Sequence, residues 1–165
     1  MHVYQTFARL PRALARSLML AAALSAAACS DPARPYVEVE GGGFIFNYRI
    51  AEVFYGVALR PLRTLEAGTV LEAEFEDPTG GPGLVVRETV AGARLAYSLR
   101  SPPVTGVVKD RPYRVEVRVL APSTGAVLLR IEARFKSDLD QSIMPNAPLT
   151  IGAGTTPNPA VPTNQ

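Results

Sequence analysis

Apolar and polar residues alternate along most of this chain with a period of two. From Thr69 to Glu76, Leu71, Ala73 and Phe75 face one way and Glu72, Glu74 and Glu76 the other. Tyr113, Val115, Val117 and Val119 alternate with Arg114, Glu116 and Arg118. Val127, Leu129, Ile131, Ala133 and Phe135 do the same against Arg130, Glu132 and Arg134. Side chains on a strand point to opposite faces in turn, so each run predicts a half-buried strand. Leu95, Tyr97 and Leu99 make a shorter run, and Leu84–Val90 and Tyr36–Glu40 add two more. Between Phe44 and Leu59 the phase slips. Phe44, Phe46, Tyr48 and Ile50 are in step, and then Ala51, Val53, Tyr55, Val57 and Leu59 carry the pattern. Sixteen residues is long for one strand. A bulge or break is expected near Ile50–Glu52, so that the stretch serves two pairings. A helix over Ile50–Val57 is the competing reading.

The runs are separated by turn chemistry at Gly41-Gly42-Gly43, Asp77–Gly83, Ala91-Gly92 and Pro122–Gly125. No segment after Cys29 carries a helical period over ten residues. The expectation is an all-β fold: a single sandwich of seven to eight strands over residues 36–137. Residues 138–151 read as an extension packing on the domain through Ile143, Met144 and Leu149. Residues 152–165, with three prolines and no charge, read as a disordered tail.

The N-terminus differs in kind. Arg9, Arg12 and Arg16 precede an apolar run, Leu18–Ala28, which ends at Cys29, Ser30 and Asp31. A basic start, a short apolar stretch and small residues before a polar boundary describe a secretory signal peptide over residues 1–28. The run is too short for a membrane-spanning helix, which needs about twenty apolar residues. Leu24-Ser25-Ala26-Ala27-Ala28-Cys29 resembles the lipobox of bacterial lipoproteins, departing at Ala26, with its leucine two positions earlier. The resemblance implies cleavage before Cys29, lipidation at Cys29 and a tether over residues 29–35. Ordinary cleavage after Ala26-x-Ala28, leaving Cys29 free, is the alternative. The implied address is the bacterial cell envelope, lipid-anchored at the outer membrane facing the periplasm, with Ser30 after the cysteine compatible with that sorting.

Removing the signal changes the charge. Three of the 17 basic residues and none of the 15 acidic ones precede Cys29, which leaves 14 against 15, a formal net of −1. No nucleic-acid partner follows from that balance. Cys29 is the only cysteine, so the domain cannot form an internal disulfide.

Pro112-Tyr113-Arg114-Val115-Glu116-Val117 resembles strand F of immunoglobulin-like and fibronectin type III domains. There a tyrosine near the strand start bonds back to the upstream backbone. The resemblance implies an immunoglobulin-like sandwich, with the run to Val127–Phe135 as its last hairpin. The tryptophan and paired cysteines of antibody domains are absent.

The only histidine is His2, so after residue 28 no imidazole is present for a catalytic pair or a metal. No catalytic residue, metal site or cofactor is assigned, and an enzyme is not expected. Glu72, Glu74 and Glu76 read as a solvated face rather than a cation site. Asp138-x-Asp140 lacks the further oxygens of a calcium loop. Phe44, Phe46, Tyr48, Phe54 and Tyr55 read first as core and second as a binding surface exposed by the phase slip. Asp138, Asp140 and Gln141, leaving the last strand, are the candidate partner surface. The expected function is a membrane-anchored envelope lipoprotein, non-catalytic, whose sandwich binds another envelope protein or supports an assembly. A periplasmic small-ligand or glycan-binding module is the alternative, and a carboxylate-based hydrolase a third.

Overall fold

The computed structural model describes residues 34–161 except Ala153. Cys29, the signal over 1–28 and most of the tether lie outside the described residues. The chain from Arg34 onward is a compact unit by itself.

Seven strands form the body: β1 (Val37–Asn47), β2 (Glu52–Pro61), β3 (Val70–Phe75), β4 (Leu84–Thr89), β5 (Tyr97–Arg100), β6 (Pro112–Leu120) and β7 (Val127–Lys136). They make two sheets, β1-β2-β5 and β4-β3-β6-β7, with every neighbouring pair antiparallel. The fold is all-β and sandwich-like. The inner faces supply one core. Tyr55, Val57 and Leu59 come from β2, Leu71, Ala73 and Phe75 from β3, Leu99 from β5, and Tyr113, Val115, Val117 and Val119 from β6. Each fully buried Val, Leu or Phe among them contributes roughly 1.5–3 kcal/mol. Leu129 and Ile131 are only half-buried, because β7 is an edge strand.

The phase slip resolves into a hairpin. β1 and β2 pair Asn47 with Glu52 and Phe44 with Tyr55, so facing partners have opposite parity in the numbering. A four-residue connection requires this, and the apolar phase therefore changes between the strands. Ala51 takes the left-handed conformation (φ 54°) where the chain reverses. Residues 52–61 are strand, which rules out the helix over Ile50–Val57.

The glycine triplet is not a turn. Gly41-Gly42-Gly43 lies inside β1, just after a bulge between Val39 and Gly41. The bulge restores the inward phase, so Val37 and Val39 before it and Gly42, Phe44 and Phe46 after it point to the core side. A Cβ on Gly42 would stand 2.3 Å from Phe135 Cζ and 2.5 Å from the Gly56 carbonyl oxygen. The missing side chain lets Phe135 of β7 close the sandwich against β1. Leu95 is a second correction. It is 94% exposed and precedes β5, inside the loop that Tyr97 Oη closes by donating to the Gly92 carbonyl (3.0 Å).

The chain beyond Lys136 crosses the end of the sandwich. Gly152–Val161 does not run on as structureless tail. β8 (Thr150–Ile151) pairs with β9 (Thr156–Pro157) in a small hairpin. Asn158 holds it closed, donating from Nδ2 to the Pro148 carbonyl (2.7 Å) and from its backbone N–H to Leu149 (2.9 Å). Local side-chain-to-backbone bonds of this kind order a polar, proline-rich stretch that lacks apolar periodicity.

Candidate interaction surface

The two outer faces of the sandwich differ. On the four-stranded sheet the register stacks charges in rows. Arg87, Glu72, Arg118 and Arg130 lie across β4, β3, β6 and β7, with Glu74, Glu116 and Glu132 in the next row. Arg118 stands 2.7 Å from Glu72 and 2.9 Å from Glu74, and Arg130 stands 2.7 Å from Glu116. Arg111 reaches Glu76 at 2.9 Å. Glu72 is not a solvated residue: its side chain is 4% exposed, enclosed between Arg87 and Arg118. These carboxylates are engaged by arginines. Among the described residues no group of three or more acidic, histidine or cysteine side chains could hold a metal ion.

Along the middle of the three-stranded sheet the outward residues are small, Gly41, Gly43, Gly56, Ala58 and Ser98, with the Glu38–Arg60 ion pair toward one end. Ile45 stands exposed at the edge, and the Arg100 guanidinium lies 4.3 Å over the Phe54 ring. The aromatic group therefore divides. Phe44 stacks on Tyr55 at 4.5 Å and meets Tyr113 edge-on at 5.3 Å, while Phe75 closes on Tyr55 from the other side at 5.0 Å. Those rings are core. Phe54 is outward but covered, and Tyr48 is exposed at the hairpin tip.

The predicted partner residues lie at the end where β7 finishes. Ser137 is buried and turns the chain: its Oγ accepts from Leu139 N (3.1 Å) and donates to Leu139 O (2.6 Å). Asp140 then caps a short 3-10 turn, Gln141–Ile143, by accepting from Ser142 N at 3.0 Å. That bond holds its carboxyl below the usual aspartate range. Gln141 is spent on structure. Its Oε1 accepts from Val107 N (3.0 Å), its Nε2 donates to Val104 O (3.2 Å), and its own N–H donates to Val107 O (3.0 Å). The three residues are neighbours in sequence, but only Asp138 and Asp140 leave carboxylate oxygens toward solvent.

Asp138 borders a groove at the seam between β1 and β7. Gly42, Gly43, Phe44, Phe46, Lys136 and Leu139 complete its walls around about 250 Å³. Alternation does not announce this groove. Its signal is the glycine triplet, once read as a place where another chain segment comes close rather than as a turn. The same end carries two further ties. Val108 N donates to Tyr113 Oη at 2.7 Å, which fastens the loop before β6 to that strand. Tyr55 Oη donates to the Glu76 carbonyl, and burial, reinforced by the Glu76 charge, pushes this hydroxyl's pKa up.

No protein-family model matches the chain, and no curated protein matches it.

Proposed function

We propose that this is a lipid-anchored protein of the bacterial cell envelope whose sandwich binds another envelope protein without catalysing a reaction. The observation that carries the reading is the basic, apolar, Ala27-Ala28-Cys29 start, followed at once by a self-sufficient β domain. The Val108–Tyr113 bond supports the finer assignment of the sandwich to the immunoglobulin-like and fibronectin type III kind. The partner surface is the seam groove with Asp138 at its edge, together with Asp140 two residues further along the chain. Aromatic floor, glycine walls and a charged rim suit an extended segment of a partner laid beside the β1 edge.

The alternative, a small-ligand or glycan-binding module, is favoured less. The described grooves hold about 210–270 Å³, below the roughly 300–1,000 Å³ of small-molecule sites.

The test is affinity recovery from detergent-solubilised membranes with the wild type, with Asp138→Ala/Asp140→Ala, and with a Lys109→Gln control. The reading predicts a protein recovered with wild type and control and lost with the double variant, at unchanged circular dichroism. Recovery unaffected by the double variant would remove this surface from the proposal.

A further inference from the structure

The sandwich has two unlike ends. The end where the chain enters carries Tyr36 and the loops 62–69, 90–96 and 121–126. Their only charged residues are Arg63, Glu66 and Arg94. The opposite end, with 48–51, 76–83, 101–111 and 137–161, holds five acids, Glu76, Asp77, Asp110, Asp138 and Asp140, against three bases, Arg49, Lys109 and Arg111. Every aspartate of the described chain is at that far end.

The near end also carries the most exposed large apolar residue, Leu95, directly after Arg94. Beside it a groove of about 210 Å³ is walled by Pro61, Arg63, Thr64, Ala93, Arg94 and Tyr97. The Arg63 guanidinium lies 3.4 Å from the centre of the Tyr36 ring, while its Nε is buried with no hydrogen-bond partner. Glu88 pairs with Arg94 from one side, and Glu66 is exposed on the same end. Arg34, Arg63 and Arg94 against Glu66 and Glu88, with a hydroxyl and a projecting leucine, make a surface of formal net +1 that is apolar at its tip.

From this we infer that the entry end of the sandwich seats on an anionic phospholipid surface. Leu95 enters the headgroup–acyl boundary, and Arg63 and Arg94 meet headgroup phosphates. The orientation rests on the lipid-anchor reading. Five residues from Cys29 to Arg34 reach at most about 18 Å, whereas a ten-residue strand such as β7 puts the far end ~33 Å away. The tether thus holds the near end at the bilayer, where exposed leucine and arginine suit an interfacial position and clustered aspartates do not. The seam groove with Asp138 is left facing away from the membrane.

The test uses protein starting at residue 29 with Cys29→Ser, which carries no lipid, since the chain from Arg34 onward has its own core. It is sedimented with vesicles of phosphatidylcholine alone or with one third phosphatidylglycerol, at millimolar lipid. The inference predicts binding to the anionic vesicles only, and its loss at about 1 M salt, where screening acts within ~3 Å. Arg63→Gln and Arg94→Gln should each weaken binding about fivefold, and Leu95→Ser about tenfold. Lys109→Gln, at the far end, should not change it. Arg63 also stacks on Tyr36, so Arg94→Gln and Leu95→Ser decide the matter if Arg63→Gln misfolds. No binding to anionic vesicles, equal binding to neutral ones, or binding untouched by Leu95→Ser and Arg94→Gln would overturn the inference. Inorganic phosphate binding without vesicle binding would mark a free-anion site and overturn it too. Because this protein has no anchor, the outcome is independent of whether Cys29 is acylated in the wild type.

Discussion

Truncating Glu72 separates a structural ion lattice from a solvated polar face. Alternation alone puts Glu72 and Glu132 in the same class, outward carboxylates on one sheet. In the structure the Glu72 side chain is 4% exposed and Glu132 48%. Glu72→Ala removes the carboxylate between Arg87 and Arg118. Stranding a buried charge typically costs 3–5 kcal/mol. Arg118 is not stranded here, because Glu74 remains at 2.9 Å and its side chain is 23% exposed. The expected loss is therefore about 1–3 kcal/mol. Arg87 is 67% exposed, so Arg87→Ala should cost only about 0.2–1 kcal/mol. Glu132→Ala should cost under about 0.5 kcal/mol. Urea unfolding, with constant m-values, measures all three. Repeating it at about 1 M salt should shrink the Arg87 effect and leave most of the Glu72 effect, since buried pairs are screened least. If Glu72→Ala costs no more than Glu132→Ala, the enclosure by arginine has no energetic consequence and the reasoning fails.

Gly42→Ala should destabilise by about 1–3 kcal/mol through overpacking on Phe135 and the Gly56 carbonyl, while Gly43→Ala, with open space around it, should be near neutral in the same urea assay. Gln141→Ala should cost about 1–3 kcal/mol, because it leaves Val107 N and Val104 O without their side-chain partner; hydrogen exchange at Val107 should speed up in parallel. The Tyr55 hydroxyl has its pKa raised by folding. Its contribution is therefore complete below the unfolded tyrosine value, about 10, and is lost as pH climbs beyond that through the folded value. The urea midpoint of wild type should fall above about pH 10 more steeply than that of Tyr55→Phe.

The strands were legible because period-two alternation is a direct image of burial on one face, and it places Tyr113, Val117, Leu71 and Phe75 in the core. The parity change between Phe46 and Val53 was legible as a break, since hairpin pairing demands it. Three features were not. Gly42 reads as turn chemistry, because a glycine chosen for close approach has the same letter as one chosen for flexibility. Leu95 continues an alternation that the fold abandons, lying inside the loop that the Tyr97–Gly92 bond closes. Glu72 reads as solvent-facing, because its burial is supplied by arginine side chains from β4 and β6, and sequence does not show which strands are neighbours. The candidate surface divides similarly. Asp138 and Asp140 stand at an exposed edge, whereas Gln141 is drawn into backbone contacts with a loop some 34 to 37 residues earlier in the chain.

The intact mass of the protein extracted from membranes tests the proposed anchor most directly. The account predicts a chain that begins at Cys29 and carries covalently bound acyl groups, with Cys29→Ser losing that mass and moving to the soluble fraction. An unmodified Cys29, in wild-type protein found in the soluble fraction, would contradict it.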